Sequence, residues 1–89
     1  MARPKKSKKV SSKPECLDFI PLKNVCLDKI SLDKEEFEAI RLKDFLGIEQ
    51  KQAALKMETS QSTFHRILLA ARKKIADALV NAKELKIKS

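Results

Sequence analysis

Glycine occurs once in the 89 residues, tryptophan and tyrosine not at all, histidine once and cysteine twice. Each shortage closes off a class of function. One glycine excludes the glycine-rich loop whose bare backbone cradles nucleotide phosphates. Without tryptophan or tyrosine, the usual stacking platforms for single-stranded DNA or unpaired RNA bases are missing. Cys16 and Cys26 have no second pair and no nearby histidine to complete a metal-ligand pattern, so reduced thiols, no metal and no cofactor are expected. No nucleophile can be assembled with a neighbouring base, which argues against an enzyme and leaves no catalytic residues to assign. No long apolar run is present, and none follows the basic N-terminus. Neither a membrane span nor an export signal is expected, and a cytoplasmic location follows.

What the chain has in abundance is positive charge. Twenty Lys and Arg against 12 Asp and Glu give a formal charge of +8, a balance that points to a polyanionic partner, nucleic acid first among them. The charge is uneven. Residues 1–14 carry Arg3, Lys5, Lys6, Lys8, Lys9 and Lys13 and no acid, residues 15–63 sum to −3, and residues 64–89 to +5. Ends that face a polyanion and a middle that serves as scaffold or meets a protein would give this polarity, although a solvated lysine-rich surface gives it too.

Residues 1–14 have two prolines and no apolar periodicity, and read as a flexible basic arm. Residues 15–89 read as one small domain. Around Pro21, and in "LDKISL", a short strand or extended arm is expected. Asp33 and Glu36 form a capping signature, and Phe37, Ile40, Leu42 and Phe45 share one side of a helix that Gly47 stops. A second helix follows over "IEQKQAALKM", with Ala53 or Ala54 where a neighbour can approach closely. Ser60 then caps a third helix whose apolar positions, Phe64, Ile67, Leu68, Ala71, Ile75, Ala78, Leu79 and Ala82, recur at three and four. The helices are placed at about 34–46, 49–57 and 60–82. "LKIKS" alternates and suggests a short strand paired with Leu27–Leu32 or with another subunit. The fold class expected is therefore all-α: a three-helix core with at most a minor two-stranded element. Phe37, Phe45 and Phe64 are assigned to that core.

A short helix, a tight turn and a longer helix opening on small polar residues is the layout of a helix-turn-helix, whose second helix enters the major groove. Periodicity leaves Gln61, Ser62, His65 and Arg66 on the outward face. Gln and Arg hydrogen-bond purine edges in pairs, so these four are the candidate base contacts. Ser60 and Thr63 suit phosphate at a helix N-terminus. Arg72 and Lys73, with Lys74 beside them, meet either phosphate or solvent, and Arg3, Lys5 and Lys6 serve either as a minor-groove arm or as a phosphate tether. His65 could equally be a solvated side chain. Glu35, Glu36 and Glu38 read as an acidic helix N-terminus satisfying its own dipole.

Four stretches carry a resemblance: the opening "MARPKK", then "EAIRLKDFLGI", "QAALKMETSQSTFHRIL" and the close "ARKKIADALVNAKELKI". Together they resemble the prokaryotic family of small predicted DNA-binding proteins of unknown function that begin Met-Ala-Arg-Pro, with a helix-turn-helix similar to region four of sigma factors. The resemblance covers nearly the whole chain and implies a fold more strongly than a mechanism. Two departures stand out. Glu58 occupies the turn where such motifs usually have glycine, with Thr59 where an apolar residue is usual, and Ser11 and Ser12 stand where family members often have cysteines.

The function expected is sequence-specific binding of duplex DNA by a transcriptional regulator, with a homodimer as a further expectation because a single small module buries limited area. Leu85, Ile87 and the outer face of the long helix are the candidate dimer contacts. The rival reading is a sigma-like adaptor whose acidic middle meets the transcription machinery while its DNA contacts stay nonspecific.

Overall fold

The computed structural model describes Val10, residues 14–21 and residues 28–88. Most of the basic arm, including Arg3, Lys5 and Lys6, lies outside the described residues, as does Cys26. In chain order the elements are β1 (Asp18–Phe19), β2 (Lys29–Leu32), α1 (Lys34–Ala39) running into a π-helical segment (Ile40–Phe45), α2 (Gln50–Lys56), α3 (Gln61–Val80) and β3 (Glu84–Ile87).

Three helices with a three-stranded mixed sheet make a mixed α/β fold, which corrects the all-α expectation with its minor two-stranded element. The strand order is β1-β3-β2. β3 pairs in parallel with β2, Leu32 opposite Ile87, and antiparallel with β1, Phe19 opposite Leu85. Two parallel strands need a long crossover, and here the crossover is the entire helical unit. Leu32 and Ile87 pack on Ala71 of α3 to form one apolar cluster, so the sheet is a layer of the core and not an appendage. β1, two residues long, is too short to show any periodicity of its own.

α1 begins as its capping signature predicts, with Glu36 Oε1 accepting from the Asp33 backbone N–H at 2.9 Å. Glu38, 1 % exposed, is held by Arg41 Nε and Nη2, each at 3.0 Å. Glu35 and Glu36 stand in the first turn of α1, as expected of an acidic helix N-terminus, and Glu36 and Glu38 are in addition buried partners of cations, Lys74 and Arg41. After Ala39 the backbone widens, and the Leu46 N–H reaches back five residues to the Arg41 carbonyl at 2.9 Å. A π turn advances each residue through a smaller angle than an α turn, so Phe45, three residues beyond buried Leu42, falls off the core face. It is 81 % exposed, which corrects its assignment to the core. Phe64 is fully buried, and Phe37 packs half-buried against the sheet cluster.

The main core joins Ala39 and Leu42 to Ala53, Ala54 and Met57 of α2 and to Phe64 and Leu68 of α3. The alanines let the α2 backbone approach α3 closely, and Met57 and Phe64 fill the space on either side of the turn. Leu79, grouped by spacing with the core positions, is 78 % exposed. α3 outruns the helices that cover its first half.

Candidate nucleic-acid interface

The link between α2 and α3 is a helix C-cap followed at once by an N-cap. The Thr59 N–H donates to the Ala54 carbonyl and the Glu58 N–H to the Leu55 carbonyl, both at 3.0 Å, the paired bonds of a Schellman motif. That motif needs a left-handed residue, and Glu58 takes the role at φ 56°. A β-carbon in this conformation costs about 1 kcal/mol relative to glycine. Burial of Ala54, Met57 and Phe64 on both sides of the turn offsets that cost.

Ser60 then caps α3. Its Oγ accepts from the Thr63 N–H at 3.1 Å and donates to Thr63 Oγ1 at 2.9 Å. Such a cap is worth about 0.5–2 kcal/mol. The first turn of α3 contains no acidic residue, so the positive end of the helix dipole meets no carboxylate from that turn.

Along α3, Phe64, Leu68, Ala71 and Ala78 are buried, while Ser62, His65, Arg66, Leu69 and Lys73 are exposed. Ser62, Arg66, Leu69 and Lys73 follow at steps of four, three and four, and so lie in one stripe opposite the buried one. Gln61 is exposed beside it and Thr63 is half-buried at its edge. All four candidate base-contact side chains are thus open to solvent. Leu69, 47 % exposed, belongs to the same stripe and was not picked out from the sequence. Its spacing from Ser62 and Arg66 could have found it.

The cations of α3 separate into two groups. Arg72 is bound by Asp44, Nη2 to Oδ1 at 2.6 Å and Nε to Oδ2 at 3.0 Å. That hydrogen bond holds the Asp44 carboxyl below the ordinary carboxylate range and raises the Arg72 guanidinium. Lys74 Nζ lies 2.7 Å from Glu36 Oε1 and donates to the Ser31 carbonyl at 2.9 Å. Arg66 and Lys73 have no such partner among the described residues. Arg66 borders a shallow cavity of about 250 Å³ shared with Asp33, Glu35 and Glu36, so one flank of the stripe is acidic.

Among the described residues no group of three or more His, Cys, Asp or Glu could hold a metal ion, and no helix is long and apolar enough to cross a membrane. Cys16 is an exposed free thiol whose Sγ donates to the Asp18 carbonyl at 3.1 Å.

The family model described as "Protein of unknown function DUF134" matches residues 1–89. The chain belongs to the DUF134 family. Its DUF134-type sequence is 48 % identical over 91 residues to a UPF0251 protein of Dehalococcoides mccartyi, spanning 98 % of this chain and 76 % of that relative. A UPF0251 protein of Thermoanaerobacter pseudethanolicus is 46 % identical over 89 residues, spanning 98 % of this chain and 75 % of the relative. One from Halothermothrix orenii is 47 % identical over 88 residues, spanning 97 % and 65 %. No solved structure matches the chain.

Proposed function

We propose that this protein binds duplex DNA through a helix-turn-helix formed by α2 and α3, and acts in the cytoplasm as a transcriptional regulator. One observation carries the reading: α2 and a Schellman turn hold α3 by one side, while Gln61, Ser62, His65 and Arg66 stay exposed at its N-terminal end, Ser62 and Arg66 on the stripe opposite the buried one. An α-helix so presented fits a major groove. Arg66 and Gln61 would pair with purine edges, and Ser60 and Thr63 with phosphate at the helix N-terminus. Lys73 and the basic arm, with Arg3, Lys5 and Lys6, would follow the backbone. Leu69 would meet thymine methyl groups. The likeness to sigma factor region four belongs to this same proposal.

The test is titration of the full chain with random-sequence and selection-enriched duplexes at several salt concentrations. Arg66→Ala should lose about 1–3 kcal/mol on the enriched duplex and little on random DNA. Deleting residues 1–13 should flatten the salt dependence for every sequence. Equal losses from Arg66→Ala on all duplexes would instead favour the adaptor that meets the transcription machinery.

A further inference from the structure

Arg66 shares its shallow cavity of about 250 Å³ with the start of α1. Three carboxyl groups border that hollow, and two of them are already engaged. Glu36 Oε1 takes the Lys74 ammonium at 2.7 Å and the Asp33 N–H at 2.9 Å, and Asp33 Oδ1 lies 3.9 Å from Lys88 Nζ. Glu35, half-buried, is bound by no described residue, and neither is the exposed Arg66. A free carboxylate and a free guanidinium therefore line one hollow without closing on each other, and Ile67 and Ala70 supply the rest of its lining.

We propose that Arg66 and Glu35 together read one G·C base pair, the guanidinium donating to guanine O6 and N7 and the carboxylate accepting from the cytosine N4 amino group. This rests on the DNA reading above and adds to it a residue from outside α3 and a base-pair class. Both side chains border the same hollow beside the exposed stripe of α3, so a base edge held by Arg66 is brought against Glu35.

The identity of the pair follows by elimination. A carboxylate carried into a groove walled by phosphates needs a donor, since unpaired it meets only repulsion and lost hydration. The base-edge donors of the major groove are adenine N6 and cytosine N4. A guanidinium beside it needs acceptors. A G·C pair presents two acceptors and then a donor, which serves both side chains at once. An A·T pair presents acceptor, donor and acceptor, which sets an amino group against Arg66 and O4 against Glu35.

The experiment is selection of duplexes from random DNA by the full chain, followed by titration of the enriched duplex with each base pair replaced in turn. One G·C pair should be required, its replacement by A·T weakening binding about tenfold or more. Arg66→Ala and Glu35→Ala should each flatten the preference at that same pair, to within about twofold, and at no other. Glu35→Gln keeps an acceptor oxygen and should retain most of the preference. Inosine in place of that guanine leaves the major-groove edge unchanged and should bind equally well, whereas 7-deazaguanine, which lacks N7, should bind more weakly. Glu35 makes no bond within the described chain, so helical circular dichroism should hold in both variants.

A Glu35→Ala chain that binds every duplex more tightly, with the base preference intact, would make the carboxylate a simple repellent of phosphate and overturn the proposal. So would an enriched site without a required G·C pair, or Arg66 and Glu35 acting at different positions. If the chain binds no duplex, or Arg66→Ala weakens all sequences alike, the DNA reading falls and this inference with it. If Arg66→Ala is selective while Glu35→Ala leaves the preference unchanged, only this inference falls.

Discussion

Asp44, at the end of the π-helical segment, grips Arg72 of α3 with both carboxylate oxygens, at 2.6 and 3.0 Å. Arg72 was expected on either phosphate or solvent, and its charge is matched inside the chain by Asp44. Asp44→Asn should release it. In the salt titration the slope of log K against log salt should steepen by about one phosphate contact, with stability falling by no more than about 1 kcal/mol because both partners are well exposed. An unchanged slope would place Arg72 away from DNA.

Lys74 joins three elements, with its ammonium on Glu36 of α1 and on the Ser31 carbonyl of β2. The Glu36 side chain is only 10 % exposed, so removing the cation leaves a largely buried carboxylate short of a partner. Lys74→Met should cost about 1–3 kcal/mol in urea unfolding. Lys73→Met, on the exposed stripe, should stay within about 0.5 kcal/mol.

Glu58 and Ala82 both hold left-handed backbone, at φ 56° and 53°, each just beyond the end of a helix. Glu58→Gly and Ala82→Gly should each stabilise the protein by up to about 1 kcal/mol, the strain of a β-carbon in that region less the entropy glycine adds to the unfolded chain. Thermal unfolding would show it as a higher midpoint. A lower midpoint for both would contradict the turn geometry.

Phe64 is 0 % and Phe45 81 % exposed. Phe64→Ala should cost about 3–5 kcal/mol, and Phe45→Ser should be within about 0.5 kcal/mol of neutral. Similar losses at both positions would restore Phe45 to the core.

Asp44 and Asp77 are both held below the ordinary carboxylate value, Asp44 chiefly by its hydrogen bond from Arg72 and Asp77 by bonds from Asn81 and then Lys83. As pH falls through about 3.9, the unfolded chain takes up protons at these sites before the folded one does. Stability contributed above that pH is therefore lost progressively as pH drops toward the folded values. Asp44→Asn combined with Asp77→Asn should make the acid side of the pH–stability curve shallower below pH ~4. A curve of unchanged steepness would count against both pairings.

Much of this was written locally. Ser60 before a run of apolar residues at three and four, and Asp33 three residues before Glu36, mark helix starts through side-chain caps that reach only two or three residues. The exposed stripe of α3 follows from the same periodicity. Phe45 was misassigned because an α period was carried through a segment whose turn is π. Its position relative to Leu42 depends on which carbonyl Leu46 chooses, and residue spacing does not encode that choice.

The sequence by itself determined where the helices start and which side of the first half of α3 is apolar, because capping and periodicity act between residues a turn apart. The sequence offered β3 either the Leu27–Leu32 segment or another subunit as its partner; the tertiary structure decided for β2 of the same chain, in parallel across the whole helical unit, and set β1 on the other edge of β3. It also sorted the cations, giving Arg72 to Asp44 and Lys74 to Glu36 while leaving Arg66 and Lys73 facing outward. An ion pair between residues 28 or 38 positions apart depends on how the helices cross, and a charge count along the chain carries no record of that crossing.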